Sequence, residues 1–289
     1  MKIKADYLSR LHAHRERQYR IMFGRCPQKV FSVGLELGAG DGFQSHLLAR
    51  HVGKLVASDL NPAILEQQGD QTIEYRVCDA EAVGSVFNEG EFDLVFSSNL
   101  LEHLPDLGKA LRGIHHVLRD DGITIHILPN LWWKLSQILL YLPNRLVRFV
   151  ERVTDREWRR GKLQRVRGRV SGQVDGCGYG ADGEPFWLNP KTERRPRSFL
   201  ARLFLPDPHG ISSGHLAEFR AFGAARWKAE FSDAGLEVIA VKKGSVLSAY
   251  VFGLDAVGLL LERLGISTAY IYIAVKKGQT SPYVRYFVP

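Results

Sequence analysis

The sequence predicts an α/β fold, a mostly parallel sheet with helices on both faces, on three observations. Short apolar runs alternate with amphipathic helical patterns between residues 30 and 130. Hydrophobic residues make up 45% of 289 and charged residues 24%, enough apolar surface for one large core. A glycine-rich turn, Gly38-Ala39-Gly40-Asp41-Gly42, falls between the first apolar run and the first helical pattern after it. Strand and helix in alternation require crossover connections, and crossovers build parallel sheets covered on both sides.

The elements follow in order. Residues 1–29 form an N-terminal helix, with apolar positions at Tyr7, Leu8, Leu11, Tyr19, Ile21 and Met22 and a stop at Cys26-Pro27. Residues 30–130 hold five strands: Ser32–Leu37, Lys54–Ser58, Thr72–Val77, Phe92–Ser97 and Ile123–Leu128. Between them lie helices at Phe43–Arg50, at Pro62–Gln68 with proline in its first turn, and at Leu107–Leu118. Leu107, Leu111, Ile114 and Leu118 put an apolar face on the last of these.

Past Pro129 the pattern changes, and residues 131–216 read as an insertion or lid. Amphipathic helices at Leu131–Leu142 and Asn144–Trp158 are separated by Pro143, and Gly161–Gly214 is rich in glycine and proline with little periodicity. Residues 217–289 restore regularity with a helix at Ala217–Ala234, a strand at Leu236–Lys242, a helix near Leu247–Leu264 and a last strand at Ala269–Val275.

Composition excludes several classes. Cys26, Cys78 and Cys177 have no metal-ligand spacing, so neither a zinc site nor a disulfide framework is expected. The charged start lacks a signal-peptide core, and no run reaches the length of a membrane span, so a cytoplasmic location is expected. The net charge of +8 is uneven. Residues 1–130 carry 14 basic and 17 acidic side chains, whereas residues 131–202 carry 16 and 7. The basic segment is expected to meet something anionic.

Chemistry gathers at the ends of the expected strands. Glycines in a strand-to-helix turn let a ligand touch bare backbone near free helix N–H donors. The dinucleotide pattern G-x-G-x-x-G fails because Phe43 stands where its last glycine belongs, which argues against a nicotinamide enzyme. Asp59 closes the second strand, where a carboxylate can accept ribose hydroxyls. Asp79 follows the third strand, placed to accept from an exocyclic amine, and Ser98-Asn99-Leu100-Leu101-Glu102-His103-Leu104-Pro105-Asp106 follows the fourth. Ligands of open parallel sheets bind at such carboxyl ends.

With these residues in order, the chain resembles the class I S-adenosylmethionine-dependent methyltransferases, in particular the small-molecule group called methyltransferase type 11. The likeness covers residues 30–130 well and 217–277 more loosely. It implies a Rossmann-like, seven-stranded sheet whose last strand, Ala269–Val275, is antiparallel, and S-adenosyl-L-methionine as cofactor. It further implies that Glu36, Gly38 and Gly40 cradle the methionine end, Asp59 binds the ribose, Leu60 lies beside the adenine, Asp79 and Ala80 face that ring, and Asn99 lies beneath the methyl donor. Leu101-Glu102-His103 is similar to the family's E-H-L/V-P-D turn. Ser97-Ser98-Asn99-Leu100 is not the N/D-P-P-Y/F box of amino methylation, and no cysteine follows the fourth or fifth strand to attack a pyrimidine.

An alcohol acceptor would need a base, and two histidines stand as candidates. His103 lies in the turn after the fourth strand, where it either acts on substrate or caps the turn. His215, in Gly214-His215-Leu216-Ala217-Glu218-Phe219, is either a base or an ordinary residue at a helix start. The acceptor expected is a hydroxyl of a small molecule, a sugar or lipid-linked glycan. RNA methylation and a non-catalytic, cofactor-binding regulatory subunit are the alternatives. Arginines at 145, 148, 152, 156 and 159 form one helical stripe beside an apolar face and Trp132 and Trp133. That pattern suits an interfacial helix on the inner leaflet of an anionic membrane. A solvated face packed on its own domain, or an RNA-binding face, fits the spacing as well.

Overall fold

The computed structural model describes residues 2–63, 71–154, 206, 218–219, 221–246 and 255–288. Helix α1 (Lys2–Phe23) leads into strand β1 (Phe31–Leu37), helix α2 (Phe43–Leu48), strand β2 (Val52–Asp59) and strand β3 (Ile73–Val77). Helix α3 (Val83–Val86), strand β4 (Phe92–Ser98), helix α4 (Leu107–Val117) and strand β5 (Leu118–Pro129) follow. Then come helices α5 (Leu131–Leu139), α6 (Tyr141–Thr154) and α7 (Ala224–Asp233), strand β6 (Leu236–Lys243), helix α8 (Asp255–Arg263), strand β7 (Ala269–Lys276) and helix α9 (Val284–Phe287).

The seven strands form one sheet in the order β3-β2-β1-β4-β5-β7-β6. The first five run parallel, and β7 lies antiparallel to both β5 and β6, as expected for the last strand. Successive strand residues point to opposite faces, and both faces are covered. Ile123, Ile125, Ile127, Ile271 and Ile273 face Met22 and Phe23 of α1, Leu47 and Leu48 of α2 and Phe287 of α9. Val95, Leu128 and Tyr272 face Leu111 and Ile114 of α4 and Trp227 and Phe231 of α7. Burial on both sides explains why these strands read as near-continuous apolar runs.

Three boundaries differ from the sequence expectation, each for a local reason. Pro143 does not divide the two helices after β5. The break is at Leu140, and Pro143 sits in the first turn of α6, where its missing N–H is one that has no helical partner anyway. The helix expected over Ala217–Ala234 is interrupted before α7. Phe222 turns inward, 3% exposed, with its ring edge-on to Trp133, and Gly223 takes an extended conformation. Strand β5 begins at Leu118, which pairs with Phe92, so α4 stops one residue early. Most of the expected Pro62–Gln68 helix, the Gly161–Gly214 stretch and Cys177 lie outside the described residues.

The start of the insertion is tied down. Asn130 accepts the N–H groups of Trp132 (2.9 Å) and Trp133 (3.3 Å) and donates to the Ser267 carbonyl (2.7 Å). Lys134 pairs with Glu218 at 2.5 Å, both side chains fully buried, and Lys134 also donates to Gln137. Among the described residues no helix is long and apolar enough to cross a membrane. A buried ion pair stripped of one partner leaves a charge stranded in low dielectric, whereas removing both does not. Lys134→Met is therefore expected to cost about 3–5 kcal/mol of stability in urea unfolding. The double variant Lys134→Met/Glu218→Leu should recover most of that loss.

Candidate active site

The direction in which successive strands are added to the sheet reverses between β1 and β4, the position where open parallel sheets leave a crevice at their carboxyl edge. The strand order sets Asp79, Asp59, the Gly38–Gly40 turn and Asn99 side by side along that edge. Three inter-strand spacings span about 14 Å. The Ser58 carbonyl accepts the N–H groups of both Gly38 (2.8 Å) and Ala39 (2.9 Å), which turns the chain outward as β1 ends.

Gly38 and Gly40 are glycines for different reasons. Gly38, at φ 74°, has Leu100 against it, and a Cβ there would meet the leucine methyls at 3.1 and 3.2 Å. Gly40, at φ 59°, would put a Cβ into open space, so the room beside it is available to a ligand. The Asp59 carboxylate accepts the N–H groups of Gly40 and Asn61, both at 2.9 Å. Each oxygen thus keeps acceptor capacity toward a ribose while the turn is held in place. Leu60 is 68% exposed, an apolar side chain at the rim. Asp79 is exposed and caps the next turn by accepting the Glu81 N–H, and Ala80 is buried beneath it. Asn99 has a left-handed backbone (φ 51°) and donates from its side chain to Ser98. These rim residues share one edge. Glu36 lies deeper, 2% exposed, accepting from Ser45 at 2.5 Å. Burial raises its carboxyl to about 7 against the opposing pull of Ser45 and Arg15.

Two features of the site went unseen in the sequence. From α1, His12 (2.7 Å) and Arg15 (2.8 Å) both reach Asp41 in the glycine turn, and the His12 ring stacks on Phe43 at 4.0 Å. Nothing local in the sequence links residues 12 and 15 to residue 41. The second feature is Glu102. Its side chain is 2% exposed, neither carboxylate oxygen makes a well-formed hydrogen bond, and the His103 Nε2 atom stands 3.7 Å away. Burial raises Glu102 to about 8 and lowers His103 to about 4. Near neutrality both are therefore uncharged, a protonated carboxyl beside an unprotonated imidazole. His103 also ends a 3-10 turn, its N–H bonded to the Leu100 carbonyl, so turn-forming and chemical roles are not exclusive. His215, the other histidine singled out, lies outside the described residues.

Residues 35–126 match the family described as a methyltransferase domain. Over 96 residues the chain is 33% identical to the human protein named arginine-hydroxylase NDUFAF5, mitochondrial, covering 33% of this chain and 28% of that one. Over 94 residues it is 27% identical to a ubiquinone biosynthesis O-methyltransferase of Pseudomonas aeruginosa, covering 30% of this chain and 40% of the relative. The match thus spans less than half the length of either relative. A chain of the complex between the Haloferax volcanii Trm112 methyltransferase activator and a methyltransferase shares the fold, with a TM-score of 0.53, 13% identity and 94% of both chains covered.

The sheet order and the family match agree: residues 35–126 match a methyltransferase domain, and the sheet carries the strand order and the antiparallel last strand that the resemblance implied. The rim fits S-adenosyl-L-methionine. Open space at Gly40, acceptor capacity at Asp59 and Asp79 and the exposed apolar side chain of Leu60 correspond to an amino-acid arm, a ribose and a purine.

These buried groups set a pH profile for stability. His14, His103 and His126 are lowered, chiefly by burial, to about 3, 4 and 3. Between pH 4 and 6.5 the unfolded chain takes up protons that the fold refuses, so stability rises with pH across that window. Glu36 and Glu102 act oppositely. The fold keeps protons that the unfolded chain releases above 4.5, so stability falls until their raised values, about 7 and 8, are passed. Three histidines outweigh two carboxyls at acid pH, which places the maximum near 6.5. Urea midpoints across pH are expected to show this maximum, and Glu102→Gln should flatten the alkaline decline.

Proposed function

We propose that the chain uses S-adenosyl-L-methionine to methylate a hydroxyl of a small molecule, a sugar or lipid-linked glycan. The observation that carries the cofactor reading is the open space at Gly40, flanked along one edge by Asp59 and Asp79. The O-methyltransferase name of the Pseudomonas relative supports oxygen as acceptor, and the basic insertion favours an acceptor that bears negative charge.

The cofactor, when bound, supplies a methyl group already activated on sulfur. The chain's part is then alignment and handling of one proton. Holding acceptor and methyl donor in line can lower the barrier by roughly 7–11 kcal/mol. Gly38 and Gly40 let the backbone approach the amino-acid arm, Asp59 and Asp79 orient the nucleoside, and Asn99 borders the place where the acceptor enters. The acceptor's hydroxyl proton leaves as the new carbon–oxygen bond forms. His103 is the residue offered for that proton: its imidazole is unprotonated at neutral pH, its Nε2 stands 3.7 Å from the Glu102 carboxyl, and the base strength it loses by burial has to be restored when the site is filled.

A second reading comes from the relative named arginine-hydroxylase, since hydroxylation would add oxygen rather than a methyl group. Mass spectrometry of cellular glycans, lipids and proteins with and without this chain separates the two readings. A lost methylene supports methyl transfer, and a lost oxygen supports hydroxylation.

Calorimetry should detect S-adenosylmethionine and S-adenosylhomocysteine binding, weakened at least tenfold by Asp59→Ala, whose removal deletes a charged hydrogen-bond acceptor. No heat with either compound, on folded protein, overturns the cofactor assignment. His103→Ala should lower turnover about 100-fold or more with cofactor affinity nearly unchanged. Unchanged turnover would remove His103 from the chemistry.

A further inference from the structure

Helix α5 is packed inside out. Its buried positions are the polar Lys134 and Gln137, while Leu131, Trp132, Leu135 and Leu139 are exposed. A helix on a protein surface ordinarily buries its apolar stripe and shows its polar one. The buried Lys134–Glu218 pair explains why α5 cannot roll over, since turning the leucines inward would strand Glu218 without its cation.

The exposed stripe continues past the break at Leu140. Leu131, Leu135, Leu139, Leu142 and Leu146 follow one another at helical intervals, and all are exposed, Leu139 by 73% and Leu146 by 66%. Several large apolar side chains exposed along one segment mark a docking face. Arg145 borders it on α6, exposed, with its guanidinium over the Tyr141 ring at 5.7 Å. Residues 131–202 hold 16 basic and 7 acidic side chains.

We propose that this α5–α6 face docks flat on an anionic lipid surface, its leucines among the acyl chains and its arginines among the headgroups. Apolar contact and positive charge are both met by such a surface. A second copy of the chain would answer the leucines but would bring two basic segments together. Trp132, 48% exposed at the start of the stripe, has the amphipathic ring that settles at the headgroup boundary. The face also has a functional position. Asn130, which begins α5, follows β5 directly, and β5 is the neighbour of β4, so the docked face adjoins the edge that carries Asn99. Docking would bring that edge to acceptors displayed on lipid. The docking itself rests on exposure and charge, so it stands or falls separately from methyl transfer.

The test is co-sedimentation of the full chain with vesicles, either of phosphatidylcholine alone or with roughly a third phosphatidylglycerol, at low and high salt. The expected result is binding to the anionic vesicles that weakens with salt. Leu139→Glu/Leu146→Glu should weaken it by more than about tenfold, since two leucines leave the acyl region. Arg145→Gln should weaken it about fivefold, the effect of one lost charge near such a surface. Circular dichroism and S-adenosylhomocysteine binding of each variant confirm that the fold is intact. Three outcomes overturn the proposal: no binding to anionic vesicles at low salt, equal binding by wild type and the leucine variant, or a lipid-free dimer that the leucine variant dissolves.

Discussion

The parallel register of β3, β2, β1 and β4 is the constraint on which the site depends. Leu37 pairs with both Ser58 and Ser97, and Asp59 pairs with Val77, so four strands finish close to level. Only then do Asp79, Asp59, the glycine turn and Asn99 fall on one edge. The Ser58 carbonyl, which accepts two N–H groups as β1 ends, converts that level finish into a sharp outward turn. Gly38 admits Leu100 from the neighbouring strand end, so the glycine turn packs against the start of the turn that carries Glu102 and His103. A strand slipped by one residue would separate them and also send each side chain to the opposite face.

Behind this rim the protein buries titratable groups in their uncharged forms. Glu36, Glu102, His103 and His126 each hold or refuse a proton because water is excluded, and His126 satisfies both ring nitrogens with Ser97 (2.7 Å) and Thr124 (2.6 Å). Charge is kept at the surface of the site, where Asp41 is held by His12 and Arg15 from α1. The N-terminal helix therefore belongs to the glycine turn electrostatically, although it precedes the sheet in the chain. The Lys134–Glu218 ion pair is fully buried as well, and it fixes the face that α5 presents.

Much of the fold was legible because it is written in local pattern. Apolar runs separated by helical periodicity placed the strands within a residue or two, except the start of the fifth, which begins at Leu118 and not at Ile123. A strand buried on both faces cannot be written any other way. The alignment of the rim residues was legible for a similar reason: glycines and carboxylates that end neighbouring parallel strands come to lie along one edge. Boundaries failed where a single residue's environment decides. Pro143 ends a helix or begins one depending on which N–H groups lack partners, and Phe222 interrupts a helix because Trp133, 89 residues earlier, offers it a place to bury.

The order of apolar runs, the glycine turn and the acidic strand ends determined by themselves an α/β sheet with a nucleotide-like cofactor at its edge, because periodicity and backbone freedom act over a few residues. Tertiary structure alone decided that His12 and Arg15 hold Asp41, that Glu102 and His103 lie buried as an uncharged pair, and that α5 turns its leucines outward. Those outcomes depend on desolvation and on charges brought together across the chain. Neither quantity exists until the chain is folded.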